Sequence, residues 1–326
     1  MNILLVLNAV LPVTDYGGTE RVIWYLGKEL SKMNHNVTFL SGKGTECPFA
    51  KVIPINPEKS IESQIPEDIQ VIHFNNYVPG GLERPYVVTC HGNHTGNNPI
   101  DRNTIFVSEN HALRHGSNEF VYNGLDWDDY GKVDLNNKRE YFHFLGKAAW
   151  RVKNVKGAIN VIKAVPGATL KVIGGDRLNF KMGFRFTLSP RIKFLGITGG
   201  EKKLDVLRNS KGLVFPVKWD EPFGLAITES LYFGAPVFGT PYGSLPELVT
   251  QDVGFLSDEK DKLVNHILMD YNYNPRICHE YAADLFNSRK MAEEYIKKYE
   301  KVCNGSCLNN ETLHSSIPDK NKKWIE

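Results

Sequence analysis

Residues 221–229 read Glu-Pro-Phe-Gly-Leu-Ala-Ile-Thr-Glu and join a strand-like apolar run, residues 212–216, to a helix-like run. At such a junction the first backbone N–H groups of the helix have no carbonyl partner within the helix. Phe223, Gly224 and Leu225 would carry these N–H groups, and a helix N-terminus favours a bound phosphate. Gly224 has no side chain, so a ligand can approach its backbone closely. The segment therefore predicts a strand–loop–helix unit with an anion site in the loop.

Two carboxylates bracket this loop. Glu221 would lie on the loop itself, whereas Glu229 would lie about two turns into the helix. One carboxylate can accept two hydrogen bonds from a ribose diol, and a second can accept hydrogen bonds from sugar hydroxyls. The segment would then bind a sugar, a diphosphate and a ribose together. The alternative is an ordinary surface pair of glutamates at the start of a helix.

Strand-like and helix-like segments alternate on both sides of this motif. Short apolar runs between helical stretches are typical of a parallel, doubly wound sheet. The pattern stops at a polar stretch, Asp126–Arg139, and then starts again, which predicts two Rossmann-like halves facing across a cleft. The predicted strands are 3–7, 37–41, 70–74, 86–89, 104–107, 141–145, 169–173, 191–194, 213–215 and 236–239, and the predicted helices are 18–33, 157–164, 201–209, 223–233 and 291–302.

Composition places the chain among ordinary globular enzymes. It is 41% apolar and 23% charged with a net charge of +2, so bulk charge gives no argument for nucleic acid. No apolar run approaches the roughly 18 residues of a membrane span. The apolar start has no basic region before it and is interpreted as a buried first strand. Five scattered cysteines fit reduced thiols, so we expect a cytoplasmic protein.

The segment Glu221–Glu229 resembles the paired-glutamate motif of the retaining glycosyltransferases of family 4, the group 1 glycosyltransferases, which have the GT-B fold. The resemblance extends from Met1 to about Val302. It implies an α/β, GT-B protein with an N-terminal acceptor domain at 1–130 and a C-terminal donor domain at 131–290. A C-terminal helix at 291–302 would return to the first domain, and 303–326 would form a flexible tail.

The same resemblance implies how the donor is bound. Glu229 would bind the ribose, and Glu221 would hold the transferring sugar. The amides of Phe223, Gly224 and Leu225 would meet the diphosphate. No enzymic nucleophile, metal or cofactor is expected, because fixed positive groups would take the place of a metal.

Two glycines precede the first predicted helix, in the sequence Tyr16-Gly17-Gly18-Thr19. Without a Cβ, Gly17 and Gly18 let backbone amides face an anion at a helix N-terminus. The segment resembles the glycine loop of family 4 near the donor diphosphate. Gly-Gly turns are also common as purely structural elements.

His91 follows a predicted strand, in Val88-Thr89-Cys90-His91-Gly92. The carboxyl ends of strands in open α/β sheets face the ligand crevice. His91 matches the active-site histidine of the family, which implies a contact with the transferring sugar. Two further strand ends, at Gly174 and at Gly196 with Ile197, correspond to the nucleotide side. A structural turn is the alternative for each of them.

Basic residues cluster after the restart of the pattern, at Lys147, Arg151, Lys153 and Lys156. Cations here would neutralise the leaving diphosphate. Lys147 stands where the family has arginine. The helix register favours Lys156 as the second cation. The number of residues after Lys147 favours Lys153 instead. The candidates are Lys147 and Lys156, with Arg151 and Lys153 as further donor ligands.

One motif points elsewhere. Asp126-Trp127-Asp128 matches the Asp-x-Asp metal motif of the other major glycosyltransferase fold, but chance matches are frequent, and we interpret it as linker.

The predicted activity is transfer of a hexose-type sugar, with UDP-sugar as the first and GDP-sugar as the second donor candidate, to the hydroxyl of a carbohydrate or other acceptor. A nucleotide-sugar 2-epimerase, a phosphorylase and a catalytically silent binding protein are the alternatives. Peripheral membrane contact and oligomeric state are left open.

Overall fold

The structure is a computed structural model that describes residues 1–13, 17–75, 78–94, 99–180, 184–269, 272–315 and 322–326. The chain forms two compact units. Within the described residues, the first unit comprises Met1–Val13, Gly17–Trp127 and residues 286–315, and the second comprises Asp128–Leu285 and residues 322–326.

The first unit is built on a six-stranded sheet in which every strand pair is parallel. Its spatial order is β3-β2-β1-β4-β5-β6. The central strand β1 is almost wholly buried because it carries an unbroken apolar run. The strands are β1 (Asn2–Leu7), β2 (Asn36–Ser41), β3 (Lys51–Pro54), β4 (Val71–Asn75), β5 (Tyr86–Cys90) and β6 (Thr104–Phe106), and the helices are α1 (Gly18–Lys32), α2 (Glu109–Leu113) and the C-terminal α9 (Ser288–Cys303).

Helix α9 is tied to the sheet of the first unit by buried hydrogen bonds. His73 on β4 pairs its Nδ1 with the Tyr299 hydroxyl at 2.8 Å and its Nε2 with Thr89 Oγ1 at 2.7 Å. Thr89 Oγ1 also lies 2.9 Å from the Tyr295 hydroxyl. Buried polar groups are costly unless paired, so this chain of bonds fixes the position of α9 on the strands.

The second unit contains a second six-stranded parallel sheet, in the order β11-β8-β7-β12-β13-β14. A separate antiparallel hairpin, β9–β10, connects β8 to β11. The strands are β7 (Tyr141–Leu145), β8 (Leu170–Ile173), β9 (Leu178–Asn179), β10 (Arg185–Phe186), β11 (Ile192–Phe194), β12 (Ser210–Phe215), β13 (Val237–Gly239) and β14 (Gly254–Leu256). The helices are α3 (Val155–Ala164), α4 (Gly200–Arg208), α5 (Leu225–Tyr232), α6 (Leu245–Leu248), α7 (Lys260–Leu268) and α8 (Pro275–Leu285).

The predicted fold class is confirmed, since each unit is a Rossmann-like body with a parallel sheet. The two units divide after Trp127, inside the stretch predicted as linker. Part of the predicted flexible tail is packed: Leu308, Asn309 and Leu313 are buried in the first unit. No helix in the described ranges is long and apolar enough to cross a membrane.

Buried histidines make the stability of the protein sensitive to mild acid. Burial lowers the pKa of His73 and of His143 to about 3 from 6.5. Below pH 6.5 the unfolded chain therefore binds protons that the folded chain does not bind, and stability is lost as the pH falls. We expect about 2 kcal/mol per histidine to be lost between pH 6.5 and about pH 5. Urea unfolding at the two pH values measures the loss, and an unchanged midpoint would contradict it.

Candidate functional site

The candidate donor loops of the second unit all follow the carboxyl ends of its parallel strands, which meet at one edge of the sheet. Three of these loops are joined by backbone hydrogen bonds. The N–H of Ala148 donates to Gly174 O at 2.9 Å, and the N–H of Gly174 donates to Gly196 O at 2.7 Å. Gly174 has φ +104°, and a Cβ there would overlap the carbonyl of Gly146. Only glycine allows this close approach.

Glu221 is the centre of a buried polar cluster on the loop after β12. Its Oε2 accepts hydrogen bonds from Lys153 Nζ at 2.5 Å and from Trp219 Nε1 at 2.7 Å. The Lys153 ammonium also lies 4.8 Å from the centre of the Trp219 ring and 5.3 Å from that of Phe215. Glu221 is only 5% exposed, so this ion pair is shielded from water and strongly oriented.

The turn that carries Lys153 is fixed to the end of β12. Val152 O accepts from the N–H of Lys218 at 2.7 Å, and Asn154 Nδ2 donates to Pro216 O at 2.9 Å. Asn154 also caps α3, because its Oδ1 accepts from the N–H of Gly157 at 3.1 Å. These bonds direct Lys153 towards Glu221.

The other predicted cations lie differently. Lys156 is exposed in the first turn of α3, and Arg151 is exposed in the turn before that helix. Lys147 follows β7, and its ammonium lies 5.1 Å from the centre of the Trp150 ring. The structure therefore brings Lys153, and not Lys156, to Glu221.

The anion loop predicted from the sequence lies at the N-terminus of α5. The helix begins at Leu225, and Gly224 precedes it with φ +93°. Gly224 and Leu225 are partly exposed, whereas Phe223 is buried. Two of the three predicted amide carriers are thus at the surface of the second unit.

The loop after β13 supports the Glu221 loop. The N–H of Ser244 donates to Glu221 O at 2.9 Å, and Ser244 Oγ donates to Phe223 O at 2.6 Å. Gly243 lies directly against the backbone of Glu221, with φ +64°. The two loops are therefore joined by hydrogen bonds and by direct backbone contact.

We expect Gly243→Ala to displace Glu221, because the new Cβ would overlap the Glu221 backbone. The expected cost is about 2 kcal/mol in unfolding free energy together with roughly tenfold lower activity. Gly167→Ala is the matched control: Gly167 has φ +70°, yet a Cβ there meets nothing within 4 Å. Equal losses in both variants would show that backbone strain alone is responsible.

Glu229 lies inside the second unit. It is 1% exposed, and its Oε1 accepts from the Tyr130 hydroxyl at 2.7 Å and from Lys203 Nζ at 2.7 Å. The Lys203 ammonium lies 5.5 Å from the centre of the Tyr130 ring. Sequence reasoning missed both partners, because they lie 99 and 26 residues away along the chain. Contact of Glu229 with a ribose stays a prediction.

The C-terminal residues of the chain also reach the Glu221 loop. Lys322 Nζ lies 3.2 Å from Asp220 Oδ1, and the Tyr242 hydroxyl donates to Lys323 O at 2.8 Å. Ile325 forms a parallel bridge with Glu259. No sequence signal indicated this packing, since the segment was predicted to be flexible.

His91 lies after β5 in the first unit, partly buried, with its Nε2 2.8 Å from Asn75 Oδ1. Because Asn75 Nδ2 donates to Val6 O, its Oδ1 faces the ring, and His91 Nε2 carries the proton. Burial lowers the pKa of His91 to about 4, so the ring is neutral at neutral pH and its Nδ1 is an acceptor.

The predicted glycine loop lies at the start of α1. Gly17 is buried immediately before the helix and Gly18 begins it, while Tyr16 lies outside the described residues. A Cβ on Gly17 would contact Glu20 and Val13 side chains.

Asp126 of the Asp-x-Asp segment forms an ion pair within the first unit. Asp126 is buried in the first unit and pairs with Lys28 at 2.8 Å. Among the residues that the structure describes, no group of three or more histidine, cysteine or carboxylate side chains is placed to hold a metal ion.

A family model described as "Glycosyl transferases group 1" matches residues 126–302, more than half of the chain. The chain belongs to the group 1 glycosyltransferases. The match spans every predicted site residue of the second unit, including Lys147, Glu221 and Glu229. The prediction of a transferase of this family is therefore confirmed, and membership of family 4 agrees with it.

Known relatives agree with this assignment. N-acetyl-alpha-D-glucosaminyl L-malate synthase of Bacillus anthracis is 23% identical over 365 aligned positions, which cover 88% of this chain and 94% of the relative. Among solved structures, AviGT4, a glycosyltransferase involved in avilamycin A biosynthesis, has a TM-score of 0.77 at 21% identity and covers 94% of this glycosyltransferase and 98% of its own chain. Anabaena Alr3699/HepE in complex with UDP-glucose has a TM-score of 0.67 at 16% identity, with 92% and 100% covered. These structures establish the GT-B fold.

Proposed function

We propose that this glycosyltransferase moves a hexose-type sugar from a nucleoside-diphosphate sugar to an acceptor hydroxyl and retains the anomeric configuration. UDP-sugar is the first donor candidate and GDP-sugar the second. The observation that carries the proposal is the Lys153–Glu221 ion pair beside the N-terminus of α5. The UDP-glucose complex of Anabaena HepE supports UDP-sugar as the first choice.

The diphosphate is proposed to bind where amides and cations meet at the strand ends of the second unit. The backbone of Phe223, Gly224 and Leu225 offers N–H groups at the positive end of the α5 dipole. Lys147 and a second lysine would stabilise the charge that develops on the leaving diphosphate. Of the two candidates Lys153 is favoured, because Lys156 points to solvent from α3.

Fixed lysines of this kind supply the charge that a divalent cation supplies elsewhere, so we propose a reaction without metal or cofactor. Arg151 would add positive charge at the entrance of the site. The loops at Gly174 and Gly196–Ile197 would bind the nucleotide base through backbone groups.

The transferring sugar is proposed to contact Glu221 and His91. A carboxylate held by Lys153 and Trp219 keeps a fixed orientation, so it can accept hydrogen bonds from sugar hydroxyls. Neutral His91 can accept a hydrogen bond from a sugar hydroxyl at Nδ1. The Gly17–Gly18 backbone is proposed to face the diphosphate, and Glu229 the ribose, where a hydroxyl would compete with Tyr130 or Lys203 for the carboxylate.

The test is an assay with UDP-, GDP-, ADP- and dTDP-sugars labelled with ¹³C at the anomeric carbon, with and without simple sugar acceptors and with EDTA. The proposal predicts a labelled product whose anomeric configuration matches the donor and whose rate is unaffected by EDTA. An inverted product would contradict retention, and loss of activity in EDTA would contradict metal independence. Conversion of the donor sugar without an acceptor would indicate an epimerase, and binding without any turnover would indicate a silent protein.

A further inference from the structure

The hairpin β9–β10 stands where a doubly wound sheet normally has a helix, between β8 and β11. Leu178 pairs with Phe186, and Asn179 pairs with Arg185. Side chains alternate between the two faces of a strand, so Leu178 and Phe186 share one face while Asn179 and Arg185 share the other. Phe180 directly follows β9 and Phe184 directly precedes β10, each two residues from a member of the Leu178–Phe186 pair.

That first face is apolar and strongly exposed. Phe180 and Phe184 are each 72% exposed, Phe186 is 50% exposed, and Leu178 is 45% exposed. The rings of Phe180 and Phe184 lie 5.7 Å apart, so the two side chains form one surface. The surface of a soluble protein rarely exposes several large apolar side chains together unless that surface binds a partner. We call these four residues the aromatic face.

The opposite side of the hairpin is packed on the second unit. The Arg185 guanidinium lies 4.8 Å from the centre of the Phe194 ring, and Arg185 Nη2 donates to Asp176 O at 2.9 Å. The hairpin is thus anchored by one side, and its orientation directs the aromatic face away from the unit. The aromatic face is therefore exposed on a hairpin that is anchored to the second unit through Arg185.

The segment that carries the aromatic face is basic, although Arg185 itself lies on the opposite face of the hairpin. The segment from residue 177 to residue 193 contains no aspartate or glutamate. Its described cations are Arg177, Arg185, Arg191 and Lys193. Arg177 and Arg191 donate to main-chain carbonyls, which are neutral and leave the side-chain charge in place. Lys193 is exposed on the edge strand β11.

We propose that the aromatic face binds the surface of an anionic phospholipid bilayer. Phenylalanine and leucine side chains insert at the boundary between headgroups and acyl chains, and basic residues of the same segment are attracted to anionic lipids. A second copy of the chain is a poorer partner, because pairing this face with itself would bring together two segments that each carry four described cations, with Asp176 as an acid beside Arg185. Few apolar anchors are available, so the contact is reversible and weakens in salt.

The test is co-sedimentation of the full chain with vesicles of phosphatidylcholine alone and with about one third phosphatidylglycerol. We expect the wild type to sediment with the anionic vesicles at low salt and to remain in solution with phosphatidylcholine. The double variant Phe180→Ser/Phe184→Ser should lose at least roughly tenfold in vesicle affinity, as expected when two aromatic side chains that insert into the bilayer are removed. Its circular dichroism should match the wild type, since neither ring is in the core.

The matched control is Leu268→Ser/Met269→Ser, which removes two apolar side chains of the same unit that are 51% and 70% exposed. This control should keep wild-type sedimentation. Equal loss in both double variants, or no sedimentation of the wild type with anionic vesicles, would overturn the proposal. A wild-type dimer by light scattering that dissociates in the phenylalanine variant would also overturn it and indicate self-association. Weaker UDP binding by that variant without any vesicle effect would place the aromatic face in the donor site instead.

Discussion

Lys153→Met should lower the rate of sugar transfer by about 10²–10³-fold, the loss typical of removing one fixed electrostatic contact from an active site. Lys153 is the only described side-chain cation in hydrogen-bond contact with Glu221. Its loss removes positive charge from the proposed diphosphate site and releases Glu221 from its fixed orientation. Donor KM should rise less than kcat falls, because charge on the leaving diphosphate is greatest in the transition state.

Lys156→Met is the matched control, three residues away in the same basic segment. Lys156 is exposed, and a single solvent-exposed charge is worth little, so the rate should stay within about threefold of wild type. A large loss in Lys156→Met with a small loss in Lys153→Met would reverse the assignment. Thermal unfolding of both variants separates a catalytic loss from a folding loss.

Lys203→Met should destabilise the protein by about 3–5 kcal/mol, the cost of leaving one member of a buried ion pair without its partner. The Lys203 and Glu229 side chains are 10% and 2% exposed, so water cannot compensate for the lost ammonium. The Tyr130 hydroxyl would remain as a donor to the carboxylate, but a neutral donor only partly offsets the charge.

Lys202→Met provides the comparison for this experiment, because Lys202 precedes Lys203 on α4 and is exposed. Its stability should stay within about 0.5 kcal/mol of wild type, as for most surface substitutions. The double variant Lys203→Met/Glu229→Leu should recover much of the loss, since an apolar pair can replace a buried ion pair. Urea denaturation of the four proteins measures each value. Equal midpoints for Lys202→Met and Lys203→Met would show that the buried pair contributes nothing.

The alternation of strands and helices could be predicted from the sequence because buried parallel strands are unbroken apolar runs. Residues 3–7 and 213–215 were predicted as strands on this basis and are strands β1 and β12. The β9–β10 hairpin was missed because each of its strands is only two residues long. Helix α8 was also missed, although Pro275 at its first position is a recognised start signal.

The candidate site was only partly readable. The Glu221 loop was recognisable because its residues are consecutive in the sequence. Pairing of Lys153 with Glu221 needed the structure, because it depends on the hydrogen bonds from Asn154 to Pro216 and from Lys218 to Val152, which join distant segments. The burial of Glu229 under Lys203 and Tyr130 is also a tertiary effect that no spacing rule predicts.

The central claim is that the second unit binds a nucleoside-diphosphate sugar at the loop before α5. The most direct measurement is calorimetric titration of UDP, GDP, ADP and dTDP into the wild type and into Glu229→Gln, well below the melting temperature of each. We expect one nucleotide to bind the wild type and to bind Glu229→Gln about 10–100-fold more weakly, because hydrogen bonds to a charged group are lost. Wild-type affinity in a folded Glu229→Gln variant would make Glu229 purely structural. Failure of every nucleotide to bind the wild type would contradict the central claim.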